Sequence, residues 1–253
     1  MSLEKVIKVN FVKFEPNRMS IKGLFPISKW DFESESILAD LPEADLEMLM
    51  QRKQTNRYKK GEVIFREEAY ASGIYYVVSG KVKKYKVDLD GGEQIIYVAN
   101  TGDLLGFHAV LSGEHYLDSA AVLEDSVITF IPRDDFMNTL DHSALLSRRL
   151  LKTLSHEFCV LANSLTLCAR RPVRERLALQ LIVVREKYKK DGGPGEPVEI
   201  NMSRDDLASL VGTARENVVR IISEFKEEGI LETRGRKIIV NDVRRLIEVA
   251  NYC

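Results

Sequence analysis

Cysteine is scarce in this chain: three among 253 residues, at Cys159, Cys168 and Cys253. They form no CxxC pair and no histidine cluster lies beside them, so the pattern argues for reduced thiols and against a metal site. Long apolar runs are missing as well. None approaches the roughly 20 residues needed to span a bilayer, and the opening MSLEKVIKVN has no secretory hydrophobic core. The expectation is a cytoplasmic protein with no membrane partner. No Ser/His/Asp or Cys/His arrangement, P-loop or carboxylate pair stands out, which disfavours an enzyme. Strong basicity is also lacking, for the net charge is −1, and at first that argues against nucleic acid. The distribution reopens the question: residues 170–253 carry 17 Lys+Arg against 14 Asp+Glu, and residues 1–169 carry 20 against 24. A basic C-terminal part is the asymmetry of a DNA-binding module at that end. The apolar content of 45% and charged content of 30% are those of an ordinary folded protein, long enough for two cores.

The most informative stretch is Ser203–Arg220, SRDDLASLVGTARENVVR. Ser203 suits an N-cap, and Asp205 and Asp206 put negative charge where the helix dipole favours it. Leu207, Ala208, Leu210 and Val211 give one apolar face, and Gly212 stands where a left-handed residue ends a helix. A second helix starts at once, with Thr213 as candidate cap and Val218, Ile221, Ile222 and Phe225 as its apolar stripe. This is a helix-turn-helix pattern. Arg215, Glu216, Asn217 and Arg220 lie on the other face of the second helix, towards the end that enters a major groove, where Arg can pair with guanine and Glu can accept from cytosine. The plainer alternative is a solvated surface helix.

Residues 1–40 carry no sustained period, although Phe11, Val12, Phe14, Phe25 and Trp30 are apolar enough to pack on something. Residues 41–52 read as a short helix behind Pro42. From 58 to 131 the pattern is one of short strands, EVIF, IYYVV, KVKKYKV, QIIYVA and VITFI, punctuated by glycine turns, which makes a β-barrel or sandwich. Beyond Pro132 the period is helical. Leu151, Phe158 and Leu165 share one heptad position, and Leu154, Leu161 and Cys168 the other, a seam suited to a parallel dimer helix, the alternative being packing on the chain's own β-domain. Arg170-Arg171-Pro172 ends that helix in a hinge. A helix over 173–188, a KKDGGPGEP loop, the helix-turn-helix, a β-wing around Arg234-Gly235-Arg236 and a last helix over 242–250 complete the chain.

The order of these parts, with GEVIF, YYVVSGKVKKY, GDLLGFHAV, SRDDLASLVGTARENVVRII and GILETRGRKIIV, resembles the Crp/Fnr superfamily of bacterial transcription regulators. The resemblance implies an α+β chain: an N-terminal extension (1–40), a double-stranded β-helix, or jelly-roll, sensor domain of the cyclic-nucleotide type (41–132), a dimerisation helix region (133–170) and a winged helix-turn-helix (171–253). It implies a homodimer binding an inverted repeat in double-stranded DNA, with RNA polymerase as a further partner. Arg215, Glu216 and Arg220 would read bases, while Ser203, Arg204, Asn217 and Arg236 would touch phosphates or flanking positions. In the cyclic-AMP-type branch the matching Arg, Glu and Arg read a TGTGA-like half-site, whereas the oxygen-sensing branch lacks the first Arg and reads one like TTGAT.

The resemblance also places a candidate effector pocket at Gly106, Phe107, His108, Asp118, Ser119 and Leu161. Where cyclic-AMP-responsive members offer a Gly-Glu pair, an Arg-Ser pair and a Thr-Ser pair, this chain has Gly106-Phe107, Asp118-Ser119 and Leu161-Ala162, so cyclic AMP is not expected. No cysteine precedes Cys159, which leaves the oxygen-sensing branch's iron–sulfur cluster without its thiolates. His108 matches a haem ligand of the carbon-monoxide-sensing branch, but Gly106 stands near the missing thiolate, so haem is a weak expectation and no cofactor is assigned. The alternative reading of the whole chain is a regulatory or interaction subunit built on the same roll, or within the family a haem-based gas sensor.

Overall fold

The computed structural model describes residue 21 and residues 23–32, 37–189 and 198–251. Phe11, Val12 and Phe14, and the KKDGGPGEP cluster after Lys189, lie outside the described residues. A short helix, α1 (Glu43–Leu49), follows Pro42 and leads into a roll of eight strands: β1 (Gln54–Tyr58), β2 (Val63–Phe65), β3 (Gly73–Ser79), β4 (Val82–Val87), β5 (Glu93–Ala99), β6 (Leu104–Leu105), β7 (Ser119–Val122) and β8 (Ser126–Pro132). They form two four-stranded sheets, ordered β1-β8-β3-β6 and β2-β7-β4-β5, and every pairing is antiparallel. Between them lie Ile74, Val77, Val82, Leu104, Ile128 and Ile131, all buried. The turn between β3 and β4 requires glycine: Gly80 has φ +99°, and a Cβ there would stand 2.1 Å from Ser126 Oγ.

Three strands are invisible to alternation. β1, QTNRY, is a mostly exposed edge strand, β7, SAAV, is buried throughout, and β6 has two residues. The one-turn helix α2 (Phe107–Ser112) sits between glycines at both caps in left-handed geometry.

After α3 (Arg133–His142) comes α4 (Ala144–Arg170), of 27 residues. Ser143 caps α4, accepting from the Leu146 amide at 3.2 Å and donating to Asp45. Leu146, Leu150, Thr153, Glu157 and Val160 repeat at three and four residues, Leu167 follows seven further on, and all six are buried on the chain's own side. Leu151, Phe158, Leu161 and Leu165 face outward and are exposed. Leu154 is half-buried and packs against the roll cluster, so it is shared between the outer stripe and the chain's own core. The helix stops where Arg171 turns extended (φ −107°, ψ 141°) ahead of Pro172.

The C-terminal part comprises α5 (Val173–Lys189), β9 (Glu199–Ile200), α6 (Arg204–Val211), α7 (Arg215–Glu227), β10 (Leu231–Arg234), β11 (Lys237–Val240) and α8 (Val243–Ala250). β9 adds a third strand to the wing sheet, ordered β10-β11-β9. This part does not hang free of the roll. One continuous apolar cluster runs from Tyr85, Ile95 and Val98 of the roll through Phe25 and Trp30 to Leu177, Leu207, Phe225 and Ile238. Polar contacts cross the same boundary: Lys187 Nζ lies 2.5 Å from Asp31 Oδ1 and over the Tyr97 ring, Asn100 donates to the Lys187 carbonyl, and Lys83 pairs with Asp206 at 3.1 Å. Lys81, buried above the Tyr188 ring, has its pKa lowered by desolvation, against the opposing pull of Glu124. Residues 23–32, unreadable by period, are thus an apolar strap across the junction.

Candidate nucleic-acid interface and sensory cavity

Ser203 caps α6, accepting from the Asp206 amide at 2.9 Å and donating to its carboxylate at 2.6 Å. Its hydroxyl therefore serves the cap, which weakens the expectation of a phosphate contact from it. Gly212 turns the chain with φ +70°, and Leu207, Ala208, Leu210 and Val211 of α6 are buried with Val218, Ile221, Ile222 and Phe225 of α7. The cap of α7 differs from the expected Thr213. Ala214 takes that position and offers no side-chain acceptor, while Thr213 Oγ1 accepts from Asn217 Nδ2 at 3.1 Å. No side chain caps the first-turn amides of α7, an arrangement that suits a bound anion.

Arg215, Glu216 and Arg220 are exposed on the outer face of α7. Arg215 pairs with Asp205 at 3.3 Å and Arg220 with Glu224, one turn along the helix. Exposed pairs of this kind are worth about 0–1 kcal/mol, so a base edge can replace them. Asn217 is half-buried and tied to Thr213, leaving it less available to DNA than its three neighbours. Ser203, Arg204, Arg215 and Arg236 surround one cleft between α6, α7 and the wing. There Arg204 Nη1 donates to the Arg236 carbonyl at 3.2 Å, and desolvation holds the Arg204 pKa below its ordinary value.

The second feature is a cavity of about 230 Å³ between the roll and α4, lined by Gly106, His108, Asp118 and Leu161 among others. Two of the six expected pocket residues stand apart from it. Phe107 turns into the roll core, and Ser119 Oγ accepts from the Glu67 amide at 2.9 Å. Lys84 and Asp118 form a half-sunk ion pair at 3.0 Å, Lys86 pairs with Glu67 at 2.5 Å, and His108 Nε2 lies 2.6 Å from Glu157 Oε2. Glu157 holds the nitrogen a haem iron would use, and no group of three or more His, Cys, Asp or Glu side chains is placed to bind a metal ion among the described residues.

Residues 55–143 match the Cyclic nucleotide-binding domain family, and residues 175–249 match the Crp-like helix-turn-helix domain family. The chain belongs to the Crp/Fnr superfamily. It is 27% identical over 204 residues to the Anaerobic regulatory protein of Haemophilus influenzae, covering 81% of this chain and 78% of that protein. It is 25% identical over 207 residues to the Fumarate and nitrate reduction regulatory protein of Escherichia coli strain K12, covering 82% of each. The structure of FixK2 from Bradyrhizobium japonicum, 25% identical, superposes with a TM-score of 0.71 over 79% of this chain and 98% of that one. The protein is thus a Crp/Fnr-type transcription regulator with a helix-turn-helix DNA-binding domain, in a family of regulators and not of enzymes. Among the described residues no helix is long and apolar enough to cross a membrane.

In this Crp/Fnr chain the sequence reading overlooked Lys86 and Glu157 as cavity residues. Two signals pointed to them. KVKKYKV sets Lys84 and Lys86 on one face of β4, a face that ordinarily reads as solvated, and Glu157 falls on the inward face of α4 among apolar neighbours, where an acid needs a partner. Lys83, on the opposite face, turns instead to Glu93 and Asp206.

Proposed function

We propose that two copies pair along the outward stripe of α4 and that the pair binds an inverted repeat in double-stranded DNA. The supporting observation is that one face of a 27-residue helix exposes Leu151, Phe158, Leu161 and Leu165, a stripe of the kind that monomers rarely leave in water. Pairing would set two α7 helices for successive major grooves, about 34 Å apart. Arg215, Glu216 and Arg220 then read a TGTGA-like half-site, Arg204 and Arg236 hold phosphates from the cleft and the wing, and Ser203 and Asn217 make lesser contacts. Such a protein acts in the cytoplasm, where it meets DNA and RNA polymerase. The test is selection from randomised duplexes. An enriched motif with dyad symmetry is expected, and an enriched asymmetric motif would sink the proposal.

The cavity at Gly106, His108, Asp118 and Leu161 is read as the sensory pocket, and neither cyclic AMP nor an iron–sulfur cluster as its signal. A cyclic phosphate would have to take Lys84 from Asp118 and leave that carboxylate half-buried beside a second anion, a loss on the order of 2–5 kcal/mol. Titration calorimetry with cyclic AMP is expected to give no heat of binding at micromolar concentrations. A saturable micromolar isotherm would overturn this.

A further inference from the structure

We infer that the cavity between the roll and α4 takes an uncharged, largely apolar small molecule. The charged groups lining it come already matched: Lys84 with Asp118, Lys86 with Glu67, and His108 with Glu157. An anionic ligand that drew Lys84 from Asp118, or a cationic one that drew Asp118 from Lys84, would leave an unpaired charge in a poorly solvated place, whereas the Lys86 side chain is half-exposed and its pair with Glu67 is a weaker barrier. The rest of the wall is Phe32, Ile96, Ala109, Leu117 and Leu161 together with the Tyr116 ring. The one hydroxyl of that ring is engaged, donating to the Gly73 carbonyl at 2.6 Å. A guest is therefore held by burying its own apolar surface, the usual driving force in preformed pockets. Volume agrees, since about 230 Å³ exceeds many times the roughly 10–15 Å³ that one water needs. The wall contributed by α4 includes Glu157 and Leu161, so occupancy reaches the helix that carries the outward stripe. That regulatory consequence rests on reading the cavity as the sensory pocket of a DNA-binding regulator, while the ligand class stands on the wall chemistry.

Two fluorescent probes that differ by one sulfonate separate the alternatives: neutral N-phenyl-1-naphthylamine and anionic 8-anilinonaphthalene-1-sulfonate. With the full chain, the neutral probe is expected to saturate and to bind at least about tenfold more tightly than the sulfonate. Asp118→Asn removes the partner of Lys84 and should raise sulfonate affinity relative to that of the neutral probe about tenfold. Ala109→Leu should abolish binding of both by filling the space. If that variant does not fold, Asp118→Asn still decides the matter, because probe stuck to the outward stripe of α4 would not respond to it. Equal or tighter binding of the sulfonate by the wild type, or no saturable binding of the neutral probe, overturns the inference. Fluorescence anisotropy on a TGTGA inverted repeat, run on the same samples, separates the two claims. DNA binding without probe binding removes the ligand class alone, and probe binding without DNA binding removes the regulator reading alone.

Discussion

A chain carrying Phe158→Arg is expected to run as a monomer of 28.8 kDa by light scattering, where the parent runs at twice that mass, and to lose about 10²- to 10⁴-fold in affinity for an inverted repeat, the advantage that linking two modest contacts gives. Phe158 is the right position because it is 74% exposed in the single chain. Arginine there costs the folded protomer almost nothing, while across a two-fold seam it sets two cations against each other in an apolar stripe. Leu154 is the wrong position despite its place in the heptad. It is half-buried against the roll, so Leu154→Arg would unsettle the protomer and confuse pairing with folding. A Phe158→Arg protein that stays dimeric would mean that the stripe faces something other than a second copy.

The double variant Arg215→Ala with Arg220→Ala should nearly erase sequence preference while leaving the protein folded. Both side chains are exposed and hold only surface pairs with Asp205 and Glu224, so their removal costs little stability. Each bidentate contact to guanine is worth about 1–3 kcal/mol of discrimination, and losing both should bring specific binding close to non-specific binding. Arg215→Ala alone should relax one guanine position. Arg236→Ala, at the wing, should weaken all duplexes alike and flatten the salt dependence by about one unit of slope. Randomised-site selection on the four proteins distinguishes these outcomes. A motif unchanged in the double variant would show that α7 does not read bases.

The elements with a strong period were legible in the sequence. α7 could be read because Val218, Ile221, Ile222 and Phe225 repeat at helical spacing and bury together, and α4 because its outer face, Leu151 to Leu165, repeats in three and four residues. β1 could not, because an exposed edge strand of polar residues has no buried face to impose alternation. β7 could not either, because Ser119-Ala120-Ala121-Val122 is buried on both faces. The strap of residues 23–32 escaped for a different reason: Phe25 and Trp30 belong to the cluster that reaches Leu207 and Phe225, and the Phe32 ring packs on Tyr97, and no local pattern records that. At the cavity, the departure of Asp118 from arginine was plain in the sequence, but its pairing with Lys84 was not, since the two belong to strands that meet only in the folded roll. The Thr213 cap failed because α7 begins one residue later than its place requires, with Ala214 at the cap position, and the threonine hydroxyl accepts from Asn217 instead.

The cluster that joins Tyr85 and Ile95 to Trp30 and Leu207 also sets a threshold for signalling. Because one buried surface is common to both halves, any arrangement that moves α6 off the roll exposes apolar side chains on both and parts Lys83 from Asp206. A molecule that switches the protein from 1:99 to 99:1 between two such arrangements must favour the second about 10⁴-fold, roughly 5.5 kcal/mol of preference. However tightly it binds, a ligand with equal affinity for both leaves the DNA-binding half where it is.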